Sequence, residues 1–309
     1  TPKPMVPLAG VPAIDIILEH LAASGIKNVI ANTYFKAEQL QEHCKNNKSG
    51  VNFNYIQETE LSGTAGGLGK CRKFFEDAED FIVMSGDGLS DIDIEAAYKS
   101  HKKSNAIATI TAKEIEHKEV SKYGIIVTDE KGFVKSFQEK PPINEALSNL
   151  ANTGIYIFKR EIFNYIPQNT FYDFAKNVFP ALMKDNQKIN TCIHKGYWSD
   201  IGSIEQYKQS NFDILNGVIP SIKVKAMHKG GYIKGTGAVI DNSAAIENCC
   251  IGNCCFIGKN TVIKNSILWD NIKVLDNVKI ENSIILSGAV ISETIKNAVI
   301  SGSLMPAGA

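Results

Sequence analysis

Along the first two thirds of the chain, apolar positions alternate between two periods. Val11 to Ser24 carries apolar residues at helical spacing, with Pro12 suited to a first turn and Gly25 as a stop. Ile26 to Ala31 predicts a buried strand, Lys36 to Lys45 a helix and Val51 to Ile56 another strand. Gly66 to Phe74 predicts a helix entered through the loop Leu61 to Ala65. Asp80 to Ser85 predicts a strand ending in Gly86-Asp87-Gly88, and Ile92 to Lys103 a helix. Such alternation predicts an α/β domain with a mixed, mostly parallel sheet and helices on both faces.

The middle of the chain changes to hairpin signals. Tyr123 to Thr128, the turn at 129–132 and Phe133 to Gln138 predict two antiparallel strands, and Asn152 to Phe158 a further strand. Phe174 to Lys184 and Ser203 to Leu215 predict helices. Near Pro220 the character shifts again. From Tyr232 onward the anchors Ile240, Ile246, Ile251, Ile257, Ile263, Trp269, Leu275 and Ile280 recur at five- or six-residue intervals, each followed by small or polar residues. This is the hexapeptide period of a left-handed parallel β-helix, whose tight corners suit Gly and Asn; about four coils are expected. A β-sandwich fits less well, because long alternating strands are lacking. The expected domains are 1–219 and 220–309.

Composition adds exclusions. There are 33 Lys+Arg and 33 Asp+Glu, so the formal net charge is zero. That balance argues against nucleic acid or an anionic membrane as the main partner, since both select a basic face. Apolar runs such as Ile14 to Leu18 end well before membrane-spanning length, and Thr1 to Gly10 has no signal-peptide pattern. Seven scattered cysteines fit reduced thiols and a cytoplasmic setting. Cys249-Cys250 and Cys254-Cys255 lack an accompanying histidine and zinc-ribbon spacing, and are expected as small interior hydrophobes one repeat apart.

Two acidic residues follow apolar strands: Asp87 in Gly86-Asp87, and Asp200 in Gly196-Tyr-Trp-Ser-Asp200-Ile-Gly202. Ligands of open α/β sheets bind outside strand carboxyl ends, and Mg2+ takes one or two carboxylates plus phosphate oxygens and water. The bland reading makes each a turn or helix-cap residue, as Asp91 and Asp93 are read. Leu61-Ser-Gly-Thr-Ala-Gly-Gly67 is a glycine-rich turn offering N–H groups at a helix start, without the Gly-Lys-Ser/Thr of a Walker A loop. Glu139-Lys140-Pro141 could bind a sugar phosphate, or be a solvated surface ion pair. Lys3, between Pro2 and Pro4, is a cation on a rigid segment.

Taken together, Pro2-Lys3-Pro4-Met5, Gly63-Thr64-Ala65-Gly66, Ser85-Gly86-Asp87, Tyr123-Gly124, Phe137 to Pro141, Asn152 to Ile155 and Trp198 to Gly202 resemble, in order, the motifs of the sugar-1-phosphate nucleotidyltransferase family. The run is most similar to mannose-1-phosphate guanylyltransferases. The resemblance implies a Rossmann-like catalytic domain in which Asp87 and Asp200 hold Mg2+ and Lys3 faces the triphosphate. It implies that Gly63, Thr64, Ala65 and Gly66 contact the nucleotide, that Gly124, Glu139 and Asn152 hold the sugar, and that Lys140 grips its phosphate. Substrates would be a nucleoside triphosphate and a sugar 1-phosphate, with GTP and mannose 1-phosphate favoured over thymidylyl, uridylyl or adenylyl transfer to glucose 1-phosphate. The β-helix would serve homo-oligomerisation.

The family places a buried strand and a glycine-rich loop ending in Arg directly before the Pro-Lys-Pro segment. This sequence begins after them, and the natural protein is expected to carry them upstream. Two rival readings are weaker. Acyltransfer on a β-helix needs a histidine there, and none follows His228. A regulatory relative that only binds nucleotide would not need Asp87, Asp200, Glu139 and Lys140 together.

Overall fold

The computed structural model describes residues 1–219, 222, the backbone of 227–228, and 231–302. The chain divides into two compact units: Thr1–Met5 with Ile17–Asp200, and Val6–Ile16 with Ile201–Ala309. The expected boundary at Pro220 lies outside the described residues.

In chain order, the strands Pro7–Leu8 (β1) and Val11–Pro12 (β2) precede helix Ala13–Ala23 (α1). Asn28–Thr33 (β3), Ala37–Lys45 (α2), Asn52–Gln57 (β4) and Gly63–Lys70 (α3) follow. Then come Asp80–Val83 (β5), Gly88–Ser90 (β6), Ile94–Ser104 (α4) and Ala108–Glu114 (β7). Gly124–Thr128 (β8), Val134–Glu139 (β9) and Leu150–Lys159 (β10) form the middle. A π-helical turn, Phe174–Val178, runs into Phe179–Lys184 (α5). Ile189–His194 (β11), Trp198–Asp200 (β12) and Ile204–Leu215 (α6) complete the part before the coil.

The main sheet of the first unit has the order β11-β7-β10-β8-β9, with β5 also on β10. It is mixed, but parallel pairing within it is confined to β7 and β11; every pair made by β10 is antiparallel. The returning chain of the hairpin region explains this departure from a mostly parallel sheet, because β10 enters the centre against the direction of its neighbours. β3 and β4 pair in parallel as a separate sheet. The strand expected as buried is therefore half-covered: Val29, Ile30 and Ala31 are only partly buried. Pro12 ends the β1–β2 hairpin rather than opening the helix.

One feature of β10 positions the site. It pairs with β8 through Leu150 and Ala151, and with β5 through Tyr156 to Lys159. Its register against β7 shifts between Asn152 and Tyr156, where Gly154 takes φ +73°. At this bulge the partner of β10 changes from β8 to β5, and residues 152–155 pair with neither. Below it, Phe158 is fully buried against Phe81, Phe174 and Phe179, with ring centroids 5.3–6.5 Å apart. Each such ring contributes about 1.5–3 kcal/mol through burial.

At the other end of β5, His101 of α4 is fully buried. Its Nδ1 lies 2.7 Å from Thr109 Oγ1, and its Nε2 lies 3.4 Å from Asp80 Oδ1. Burial pushes the imidazole below its ordinary pKa, with Asp80 opposing and Lys159 and Lys102 assisting. Above about pH 6.5 the ring is neutral folded and unfolded; below it the unfolded chain takes up a proton that the native state refuses. Stability should therefore fall as pH drops through that value toward the lower native pKa. Urea midpoints at pH 7.5 and 5.5 should differ less in His101→Gln than in the native protein; an equal difference would exclude His101 as the cause.

In the second unit, three stacks of short parallel strands form a left-handed β-helix. Its interior is aliphatic: Ile251, Leu268 and Ile285 stack on one side, and Ile257, Val274 and Ile291 on the next. Asn248 donates to Asn265 17 residues on, and Asn282 to Asn297 15 residues on. Coils of 17 residues, rather than three full hexapeptides, shift the anchors by one: Leu268 and Val274 are buried, and Trp269 and Leu275 only partly so. Asn248, Asn260, Asn265, Asn271, Asn277, Asn282 and Asn297 all have positive φ, as corners of this kind require. The cysteines correct an expectation. Cys249 and Cys255 enter the interior, whereas Cys254 is an exposed residue with φ +52°. Cys250 is buried outside the interior cluster. Trp269 Nε1 donates to Tyr207 Oη at 2.9 Å, and that hydroxyl donates to the Pro7 carbonyl at 2.7 Å. No helix of the described residues is long and apolar enough to cross a membrane.

Candidate active site

β6 and β12 bring the two acidic residues together. They pair antiparallel, with Trp198 opposite Ser90, Ser199 opposite Leu89 and Asp200 opposite Gly88. Asp87 immediately precedes Gly88, so both carboxylates emerge at one end of this ladder. Neither is a helix cap. Ser203 accepts from Gln206 N–H at 3.1 Å to cap α6, and Asp93 accepts from Ala96 N–H at 2.8 Å to cap α4.

Asp87 accepts from the Lys3 ammonium and from the Ser85 hydroxyl. Burial alone would raise its pKa, but these two partners hold it below the ordinary carboxylate range. Asp200 moves the opposite way: burial and then the charge of Asp87 raise it, with Lys3 and Lys140 opposing. Two carboxylates shifted in opposite directions, flanked by two lysines, form a center suited to a polyanion and a divalent cation. Among the described residues no group of three or more His, Cys, Asp or Glu could hold a metal. The donor set is thus a carboxylate pair, which fits Mg2+ when phosphate oxygens and water complete the shell. That Asp87 already draws a cation, the Lys3 ammonium, is consistent with this fit.

Beside the bulge of β10 lies a cavity of about 280 Å3 whose lining includes Gly124, Glu139 and Asn152, the three residues expected to hold a sugar. Gly124 faces Glu139 across the ladder, and a Cβ there would come within 3.2 Å of the carboxylate Oε2. Glycine at 124 therefore leaves Glu139 free to accept hydroxyl donors. Asn152 Nδ2 donates to Tyr156 Oη at 3.0 Å, and its Oδ1 accepts from Gly154 N–H at 3.1 Å, fixing the amide. Burial pushes the Tyr156 phenol up to about 12, so it stays a neutral partner. Lys140 sits at the end of β9 with φ +47°, its N–H donating to the Tyr123 carbonyl at 3.1 Å. This sparsely used conformation costs about 1–3 kcal/mol and turns the chain out of the sheet.

The glycine-rich turn is different from its expectation. Gly63, Thr64 and Ala65 are not a loop but the first turn of α3. The N–H groups of Ala65 and Gly66 both donate to the Tyr172 carbonyl at 3.0 Å, and Tyr172 N–H donates to the Ser62 carbonyl at 2.8 Å. A Cβ on Gly63 would stand 2.5 Å from Tyr172 O, and one on Gly66 2.6 Å from Thr170 O. Thr64 Oγ1 donates to Asp173 Oδ2 at 2.8 Å. The close approach that the glycines allow is to this chain's own backbone at 170–172.

Several residues escaped the sequence reading. Lys135, Ser136 and Gln138 line the cavity with Phe137 and Glu139, at and after a register shift of β9 that leaves Lys135 unpaired in the ladder. Lys176, Pro180 and Met183 line it from the helical segment opposite, and no local pattern marks them. Trp198, quoted only as part of a motif, donates from Nε1 to the Thr153 carbonyl at 3.1 Å and packs on Tyr123 with centroids 5.0 Å apart.

Residues 1–217 match the family model described as nucleotidyl transferase. A UTP–glucose-1-phosphate uridylyltransferase of Synechocystis sp. is 36% identical over 242 residues, covering 72% of this chain and 62% of the relative. The mannose-1-phosphate guanylyltransferase of Mycobacterium tuberculosis is 31% identical over 254 residues, 79% of this chain and 67% of the relative. This chain thus spans less than two thirds of the length of the first of these relatives. Among solved structures, HddC from Yersinia pseudotuberculosis complexed with GMP-PN is similar, with a TM-score of 0.60 at 26% identity, covering 69% of this chain and 90% of that one.

Proposed function

We propose that this chain, which belongs to the nucleotidyl transferase family, transfers a nucleotide from a nucleoside triphosphate to a sugar 1-phosphate and releases pyrophosphate. The observation that carries the reading is the carboxylate pair Asp87–Asp200, flanked by Lys3 and Lys140, in the same unit as a cavity lined by Gly124, Glu139 and Asn152. Glu139 and Asn152 hold the sugar hydroxyls, and Lys140 draws the sugar's phosphate toward Asp200. Lys3, released from Asp87, neutralises phosphate oxygens of the triphosphate. A phosphate oxygen of the sugar attacks the α-phosphorus in line, forming the new P–O bond as the bond to pyrophosphate breaks. Mg2+ held by Asp87 and Asp200 would offset negative charge on the transferring phosphate. The chain's own contribution is positioning and charge neutralisation, with no covalent intermediate.

For the substrates, GTP and mannose 1-phosphate are our reading, supported by the guanylyltransferase relative and the GMP-PN complex of the structural neighbour. The 36% identical uridylyltransferase favours a second reading, UTP with glucose 1-phosphate. Pyrophosphate release by the full-length protein, measured for four triphosphates against the two sugar phosphates with and without Mg2+, separates them. GTP with mannose 1-phosphate should be fastest and should require the metal. Fastest release from UTP and glucose 1-phosphate would transfer the assignment to the second reading; no release from any pair would remove the transferase reading altogether.

A further inference from the structure

We propose that Asp91, His194 and Gly196 form a clamp that holds Asp200 in register with Asp87 and so sets the affinity of the site for a divalent cation. The inference rests on the reading of Asp87 and Asp200 as metal ligands. Its starting point is the smallness of the ladder that carries them. β6 and β12 have three residues each and pair with no other strand among the described residues. A two-stranded ribbon of this length is marginal by itself, and a slip of one residue would turn Asp200 to the opposite face.

The clamp lies at the far end of that ladder from Asp87. Asp91 N–H donates to the Tyr197 carbonyl at 3.2 Å, and Asp91 Oδ1 accepts from Tyr197 N–H at 2.6 Å. His194 Nε2 is 3.1 Å from the same Oδ1 and 2.9 Å from the Tyr197 carbonyl. Both neighbours are acceptors, so Nε2 carries the proton and donates. The Lys113 ammonium caps the carbonyls of Lys195, at 3.2 Å, and Gly196. The side chains of His194 and Asp91 are 8% and 19% exposed, so water competes little for these bonds. Gly196 is what lets the pieces meet: a Cβ there would stand 2.2 Å from Asp91 Oδ1 and 2.6 Å from His194 Cε1. None of the three residues is a catalytic residue in this scheme; they act through the position of β12.

The test is Mn2+ binding to the full-length protein, followed by the loss of the free-ion paramagnetic resonance signal, with thermal melting of each variant alongside. Partners that orient metal ligands typically change affinity about 10–100-fold when removed. Asp91→Ala should weaken Mn2+ at least about tenfold by that precedent, whereas Asp91→Asn, which keeps the Oδ1 acceptor, should stay within about threefold of native. Gly196→Ala, which keeps Asp91 and His194 in the sequence but wedges their side chains away, should weaken Mn2+ as Asp91→Ala does, and it decides the matter if Asp91→Ala does not fold. Native affinity in Gly196→Ala and in a folded Asp91→Ala overturns the clamp, as does equal weakening by Asp91→Ala and Asp91→Asn. Asp87→Asn serves as the separate control. Native Mn2+ binding in that variant overturns the metal reading itself, whatever the clamp variants do.

Discussion

Asp87→Asn and Asp200→Asn should each lower kcat by at least about 10³-fold, about 4 kcal/mol of transition-state stabilisation, while the fold survives or gains stability. The asymmetry follows from the charges. Asp200 is raised by burial and by Asp87, so the folded chain holds two partly buried carboxylates against their repulsion. Neutralising either removes that repulsion, and an amide of the same shape keeps the packing. Asp200→Asn should therefore melt at or above the native temperature. Asp87→Asn loses its attraction to the half-exposed Lys3, a modest term in water. A residue that merely supported the fold would show the reverse, with lower melting and proportionate loss of rate. Pyrophosphate release and thermal melting on the same preparations check both halves. Rates within tenfold of native in both variants would remove the carboxylates from the mechanism.

The acidic pair was legible because each member follows an apolar strand, and strand ends are where open sheets bind ligands. Their mutual position was not legible. The proximity of Asp87 to Asp200 depends on antiparallel pairing of two three-residue strands more than 100 positions apart, and such short segments have no periodicity to read. The residues that the resemblance assigns to a sugar were easier to group. Gly124, Glu139 and Asn152 line one cavity, whereas the register shift that brings Lys135 to it leaves no mark in the alternation of β9. The cavity's other wall, with Lys176, Pro180 and Met183, is set by long-range packing of Phe179 on Phe137 at 5.1 Å. In the coil, the hexapeptide rhythm predicted the architecture but slipped at Trp269 and Leu275. A 17-residue coil and an 18-residue coil differ by one position per turn, within the tolerance of a five- or six-residue spacing. Alternating strands and helices likewise could not announce that β10 would enter the sheet antiparallel to its neighbours.

The glycine-rich turn gives the second large effect, one of stability. Gly63→Ala should destabilise the protein by about 2–5 kcal/mol, because two penalties combine. At φ +78° an L-residue costs about 1–2 kcal/mol, and a Cβ placed 2.5 Å from the Tyr172 carbonyl oxygen forces a backbone shift that costs about 1–3 kcal/mol. Gly66→Ala lacks the first penalty but meets Thr170 O at 2.6 Å, so it should lose about 1–3 kcal/mol, less the roughly 1 kcal/mol by which a helix favours alanine. Gly67→Ala is the internal contrast. The nearest atoms to its Cβ would be those of the Asn32 side chain at 3.4–3.5 Å, ordinary contact distance. Alanine in a helix is favoured over glycine by about 0.8–1 kcal/mol, so this variant should be neutral or stabilising. The series distinguishes the two uses a glycine turn can have. If Gly63 and Gly66 exist to admit the segment at 170–172, urea midpoints fall in the order Gly63→Ala, Gly66→Ala, Gly67→Ala, with the first lowest. If they exist to admit a nucleotide, midpoints stay level and KM for the triphosphate rises instead. The Tyr172 carbonyl already accepts the N–H groups of Ala65 and Gly66, and that occupancy is the reason to expect the first outcome.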